Sequence, residues 1–178
     1  MQIISVINQK GGVGKTTTVI NLAAGLSQLN KKILVIDLDP QGNATTGLGL
    51  SNMNNSSDTI YGVLNGAKEI IQVIKKTQFE NLDIITSNVD LSGLEVETAD
   101  DSNRAFLLKV KLASYLNNSR GSYDYILIDC PPSVGLLTVL ALVCSNSLCR
   151  GGGGRLQGLT CGPTTRPAVR FLHTRVRT

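Results

Sequence analysis

Short apolar runs alternate with longer amphipathic stretches along the first 149 residues. Ile3 to Ile7 reads as a strand, within residues 2–8. Thr16 to Leu29 carries Val19, Leu22, Ala23, Leu26 and Leu29 at helical spacing. Ile33-Leu34-Val35-Ile36 is apolar at every position, the pattern of a parallel strand covered on both faces. Leu82–Thr86 and Tyr125–Asp129 read as two more strands. Helices are predicted over Thr59–Leu64, Lys68–Lys76, Asn88–Thr98, Arg104–Leu116 and Gly135–Ser147. In the fourth of these, Leu108, Leu112 and Tyr115 share one side. Residues 44–57, rich in Gly, Asn and Ser, read as a loop, and Asn117 to Ser122 as a turn.

The junction between the first strand and the first helix is Gln9-Lys10-Gly11-Gly12-Val13-Gly14-Lys15-Thr16-Thr17. Strand, glycine loop and helix, in that order, are what a phosphate-binding loop requires. Glycines let the backbone approach an oxyanion closely. Loop N–H groups and the helix N-terminus supply partial positive charge. Lys15 adds a full charge for the β- and γ-phosphates, and the Thr16 hydroxyl is a ligand for Mg²⁺. The common pattern Gly-x-x-x-x-Gly-Lys-Ser/Thr wants glycine at position 9, where this chain has Gln9. It has instead a second lysine, Lys10, which makes the loop the deviant form Lys-Gly-Gly-x-Gly-Lys-Thr. A glycine-rich turn with two solvated lysines would share the composition, but not the flanking strand and helix.

Two further strands end in carboxylates. The second runs into Asp37-Leu38-Asp39-Pro40-Gln41-Gly42-Asn43. Carboxylates at that end of a strand face the crevice where α/β sheets bind ligands. The alternative is a pair of turn-forming aspartates. The last strand ends Ile128-Asp129-Cys130-Pro131-Pro132-Ser133. Three aliphatic residues and an aspartate, downstream of a phosphate loop, point to Asp129 as a holder of Mg²⁺, directly or through water.

Composition sharpens this picture. The net charge of +4 is unevenly spread over the 178 residues. Residues 1–149 hold nine Lys and two Arg against thirteen acids, whereas residues 150–178 hold six Arg and no acid. The same 29 residues lack Ile and Asn, each of which occurs fourteen times before them. That segment reads as an Arg/Gly-rich tail, either disordered and able to bind nucleic acid or translated out of frame. Cys130, Cys144, Cys149 and Cys161 form no Cys-x-x-Cys pair, and His173 is the one histidine, so a zinc site has little support. No apolar run approaches the ~20 residues of a membrane span, and the first strand begins at once, so a cytoplasmic protein is expected.

With these three motifs in place, residues 1 to about 147 resemble ParA/Soj-type chromosome or plasmid partitioning ATPases, the deviant Walker A family. The resemblance implies an α/β, P-loop NTPase-like fold, a mostly parallel sheet with helices on both faces. It implies ATP and Mg²⁺ as cofactors and two subunits that close face to face on ATP. Lys10, Gly11, Gly12, Val13, Gly14, Lys15, Thr16 and Thr17 would bind the nucleotide. Lys10 would reach into the partner's site, Gly12 would lie at the dimer seam, and Thr17 would bond the α-phosphate. The catalytic set would be Lys10, Lys15 and Asp39, with Asp39 acting on the attacking water. Thr16, Asp37 and Asp129 would serve the metal: Thr16 as ligand, Asp129 in its outer shell, and Asp37 by supporting the magnesium shell and the loop geometry. The implied partners are non-specific DNA and a ParB-type stimulating protein, with a nucleoid-associated location and no membrane.

The chain departs from that family after residue 147. Family members continue with further strands and helices, so the resemblance implies that C-terminal strands are missing here. The expected domains are therefore residues 1–148, an incomplete ATPase domain, and residues 149–178, the tail. A non-catalytic fragment and a MinD-like positioning ATPase are the alternative functions.

Overall fold

The computed structural model describes residues 1–50, 56–118 and 123–150. The Arg/Gly-rich tail from residue 151, the end of the 117–122 turn and part of the 44–57 loop lie outside them. The framework is a six-stranded sheet: β1 (Gln2–Ile7), β2 (Ile33–Asp37), β3 (Ile74–Lys76), β4 (Leu82–Ile85), β5 (Tyr125–Asp129) and β6 (Ser147–Arg150). Their order across the sheet is β3-β4-β2-β5-β1-β6. All neighbours pair in parallel except β3 with β4, which is antiparallel.

The helices are α1 (Lys15–Gln28), α2 (Asn43–Gly47), α3 (Ile60–Leu64), α4 (Ile70–Val73), α5 (Leu94–Glu97), α6 (Leu107–Asn118) and α7 (Leu136–Cys144). They cover both faces, which is why β2 is buried along its whole length. Alternate residues divide between two cores. Leu34, Ile36, Ile126 and Ile128 face the layer built by α3 to α7. Ile33, Val35, Leu127 and Val6 face Val19 and Ala23 of α1.

The helix expected over 88–98 divides into a 3-10 stretch, Val89–Gly93, and α5, and α6 runs on to Asn118; three other segments differ more sharply from the sequence reading. The 44–57 stretch begins with a helix, α2, because the Asp37 carboxylate reaches from β2 to the Thr45 N–H in its first turn. The helix expected over 68–76 stops at Val73. A capping box formed by Glu69 and Gln72 starts it, and Ile74 then pairs with Ile85 as strand. Lys76 sits opposite Asp83, and its ammonium bonds Asp83 Oδ2 at 2.9 Å. The Tyr123 hydroxyl donates to the same oxygen at 2.7 Å.

The last helix ends at Cys144 rather than Ser147, and residues 147–150 form an edge strand on β1. Side chains at the bend explain this. The Ser145 hydroxyl bonds that of Ser5 and also donates to Ala141 O at 2.6 Å. Asn146 then imitates a strand residue: its N–H donates to Ile3 O at 2.9 Å, and its Oδ1 accepts Ile3 N–H at 2.9 Å.

Core burial predicts contrasting sensitivities. Leu140, fully buried in α7, should cost about 2–5 kcal/mol on Leu140→Ala. Ile71, 64% exposed, should stay within about 0.5 kcal/mol on Ile71→Ser. Denaturant midpoints of the two variants measure both.

Candidate phosphate and metal site

The site lies at the carboxyl ends of β1, β2 and β5, which the parallel pairing brings to one edge of the sheet. Register sets Val6 beside Asp129 and Asp129 beside Asp37. The loop after β1 turns through two left-handed glycines, Gly12 at φ 70° and Gly14 at φ 81°. A Cβ at Gly11, Gly12 or Gly14 would meet nothing within 4 Å, so the space over the loop is open. Glycine is required at 12 and 14 by backbone conformation, not by crowding.

Gly14 is the N-cap of α1, and no side chain caps that end. The first-turn N–H groups therefore face the loop as donors for an anion. Lys15 is 7% exposed, and among the described residues its ammonium makes a long bond of 3.4 Å to Lys10 O. An ammonium so deeply placed, beside open space, suits a polyanion. Lys10, Gly11, Gly12 and Thr17 are exposed, and Val13 is half-buried.

Three carboxylates share this edge of the sheet and have different surroundings. The Thr16 hydroxyl donates to Asp129 Oδ2 at 2.7 Å, while the buried Oδ1 has no partner among the described residues. An unpaired, buried carboxylate oxygen beside a threonine hydroxyl fits a hard divalent cation. Burial pushes the Asp129 carboxyl up to about 7, with Asp37 and Asp39 adding to the rise and the Thr16 hydroxyl opposing it. Asp37 is instead fully engaged. Its Oδ1 accepts Asp39 N–H at 3.0 Å, and its Oδ2 accepts the N–H and the hydroxyl of Thr45, both at 2.8 Å. Burial raises it to about 6 against the pull of those bonds. Asp39, 7% exposed, accepts Gln41 N–H at 3.0 Å, which closes the Asp39–Gly42 turn.

Lys15, Thr16, Asp37, Asp39 and Asp129 thus converge, with Lys10 on the loop beside them. Thr45 and Ser87 belong to the same hydrogen-bonded group and were not singled out in the sequence. The available signal was a threonine at the third position of a helix starting at Gly42-Asn43. A groove of about 910 Å³ lies at the opposite, amino end of the strands, lined by Lys32, Asn81, Asp83 and Tyr123 among others. It shares no residue with the phosphate loop.

Residues 1–149 match the AAA_31 family, described as an AAA domain. The chain belongs to that family and is of ParA/Soj type. It is 46% identical over 147 residues to the sporulation initiation inhibitor protein Soj of Bacillus subtilis, covering 83% of this chain and 56% of Soj. It is 41% identical over 148 residues to the chromosome partitioning protein ParA of Caulobacter vibrioides, covering 83% of this chain and 54% of that protein. The chain therefore spans about half the length of the curated relatives it matches.

Solved structures agree on the fold. Cobyrinic acid a,c-diamide synthase from Mycobacterium smegmatis, with bound ATP analogue and magnesium, superposes with a TM-score of 0.76 at 35% identity. That match covers 83% of this chain and 58% of the synthase. A plasmid partition protein from Borrelia burgdorferi gives 0.69 at 33% identity, covering 83% of this chain and 62% of the other. Among the described residues of this ParA/Soj-type chain, no helix is long and apolar enough to cross a membrane.

The raised carboxyls make stability depend on pH. Asp129 binds its proton more tightly folded than unfolded, from 3.8 to about 7, so its contribution is full below pH 4 and is lost as pH rises towards 7. In chelator, Asp129→Asn should flatten the fall in unfolding free energy between pH 4 and 7. Added Mg²⁺ should stabilise the parent chain more at pH 8 than at pH 5, and the variant at neither.

Proposed function

We propose that this chain binds ATP with Mg²⁺ and hydrolyses it as a ParA-type partitioning ATPase. The observation that carries the reading is the pair formed by Thr16 and Asp129. A threonine hydroxyl and an unpaired buried carboxylate oxygen stand beside the uncapped N-terminus of α1 and the deeply set ammonium of Lys15. The ATP analogue and magnesium in the M. smegmatis synthase support the same ligands here. So does the ATP in a complex of a Cyanothece McdA variant, which is 26% identical with a TM-score of 0.74.

The roles are those that the likeness to ParA/Soj-type ATPases implies for these residues. Backbone N–H groups of residues 11–17 cradle the phosphates. Lys15 neutralises the β- and γ-phosphates, and Thr17 bonds the α-phosphate. Thr16 and Asp129 hold Mg²⁺, which, when bound, draws charge from the phosphoryl oxygens. Asp39 orients the attacking water. Asp37 serves the metal indirectly, by fixing the turn that carries Asp39. The exposed Lys10 reaches the nucleotide of a second subunit in a sandwich dimer, where it stabilises the transition state as an arginine finger does. Gly12 lies at the seam of that dimer. The ATP-bound dimer binds DNA without sequence preference in the nucleoid, and a ParB-type protein stimulates its turnover.

Phosphate release with Mg²⁺ and ATP tests this directly. Lys15→Ala should abolish turnover and weaken binding of a fluorescent ATP analogue. Lys10→Ala should keep that binding and lose turnover by roughly 100-fold or more. Binding without turnover in the parent chain would leave a nucleotide-binding protein that is not an enzyme. DNA retention should require ATP and fall steeply with salt. Retention without ATP would place DNA binding outside the proposed cycle.

A further inference from the structure

The group behind the site is a second layer of polar contacts joining three elements. Asp37 ends β2, Thr45 lies in the first turn of α2, and Ser87 follows β4. The Thr45 hydroxyl donates to Asp37 Oδ2 at 2.8 Å and accepts Ser87 N–H at 3.1 Å. All three residues are fully buried. Thr45 N–H donates to the same carboxylate oxygen at 2.8 Å. The N-cap of α2, Gly42, offers no side chain, so a carboxylate from β2 caps this helix from outside it. The other oxygen of Asp37 receives Asp39 N–H at 3.0 Å.

A continuous path therefore runs from Ser87 through the Thr45 hydroxyl and Asp37 to the backbone of Asp39. Its members constrain one another. Ser87 N–H can only donate, and the ionised Asp37 can only accept. The group between them must do both, which a hydroxyl does and an alkyl group does not. The neighbouring hydroxyls, Thr86 Oγ1 and Ser87 Oγ, have no partner among the described residues and take no part in the bridge. The turn that carries Asp39 is closed by Gln41 N–H to Asp39 Oδ1 and Gly42 N–H to Asp39 O. It is anchored to the sheet through Leu38, whose N–H donates to Asp129 O at 2.9 Å, and through the Asp37 carboxylate.

We propose that Thr45 is a positioning residue for the Asp39 turn, acting by bridging Asp37 to Ser87 on the neighbouring strand end. It lies fully buried behind Asp37 and is none of the groups proposed to hold phosphate or metal. The proposal rests on the ATPase reading for its effect on catalysis, but not for its effect on the turn. A misplacement of the water-orienting carboxylate by about an ångström is enough to cost roughly 100-fold in rate without weakening nucleotide binding.

The test compares the full chain with Thr45→Val, Thr45→Ser and Lys15→Ala. Thermal unfolding checks that each is folded, and Thr45→Ala replaces Thr45→Val if the latter is not. In Thr45→Val, kcat should fall at least tenfold with KM changed less than about threefold. Thr45→Ser, which keeps the hydroxyl, should recover most of the rate. Amide hydrogen exchange at Asp39, Gln41 and Ser87 should quicken in Thr45→Val and return in Thr45→Ser, with α1 and α7 unaffected. An unchanged kcat in Thr45→Val, beside active parent chain and dead Lys15→Ala, overturns the positioning role and leaves the ATPase reading intact. If the parent turns over no faster than Lys15→Ala, the ATPase reading fails and the exchange data decide. Quickening confined to the turn then supports the bridge, and unchanged exchange overturns it.

Discussion

The parallel pairing of β2 with β5 sets Asp37 level with Asp129, and the chemistry of the molecule depends on that register. Two carboxylates meet at one edge because their strands run in the same direction and end at the same height. Helices on both faces then remove the strand ends from water. Desolvation lifts both groups, Asp37 to about 6 and Asp129 to about 7. The same packing that stabilises the sheet thus leaves its functional edge short of compensating charge, which Lys15 and a bound cation can supply.

The two carboxylates resolve this problem differently. Asp37 is satisfied internally by Asp39 N–H and by Thr45, and the result is a fixed turn. Asp129 keeps one buried oxygen unpaired. Unsatisfied buried polar atoms are costly and so are concentrated where a ligand completes them. One acid has become part of the scaffold and the other remains available. Both are read identically in the sequence, as an aspartate closing an aliphatic run.

The sheet edges show how few contacts redirect a chain. At one edge, Asp83 accepts from Lys76 and Tyr123 and holds an antiparallel strand of three residues. At the other, Asn146 supplies an amide in place of backbone and delivers residues 147–150 to β1. Neither feature has a periodic signature. Asp83 meets Lys76 from 7 residues away and Tyr123 from 40, and the Asn146 side chain meets the Ile3 backbone from 143.

Local order in the sequence determined the phosphate loop, the first helix, the strands at 33–36, 82–85 and 125–129, and the three motifs that mark a ParA/Soj-type chain. Strand, glycine turn and helix are set by neighbours a few residues apart, and the loop glycines at 12 and 14 are demanded by positive φ. Tertiary structure decided the rest. Residues 43–47 are helical because Asp37 caps them across the fold. Residues 74–76 are strand because β4 offers a partner. Residues 147–150 join β1 because Ser5, Ile3 and Asn146 meet. The division between the fully bonded Asp37 and the half-bonded Asp129 belongs to the same class. It depends on which donors the folded chain brings within about 3 Å, and no spacing along the chain encodes that distance.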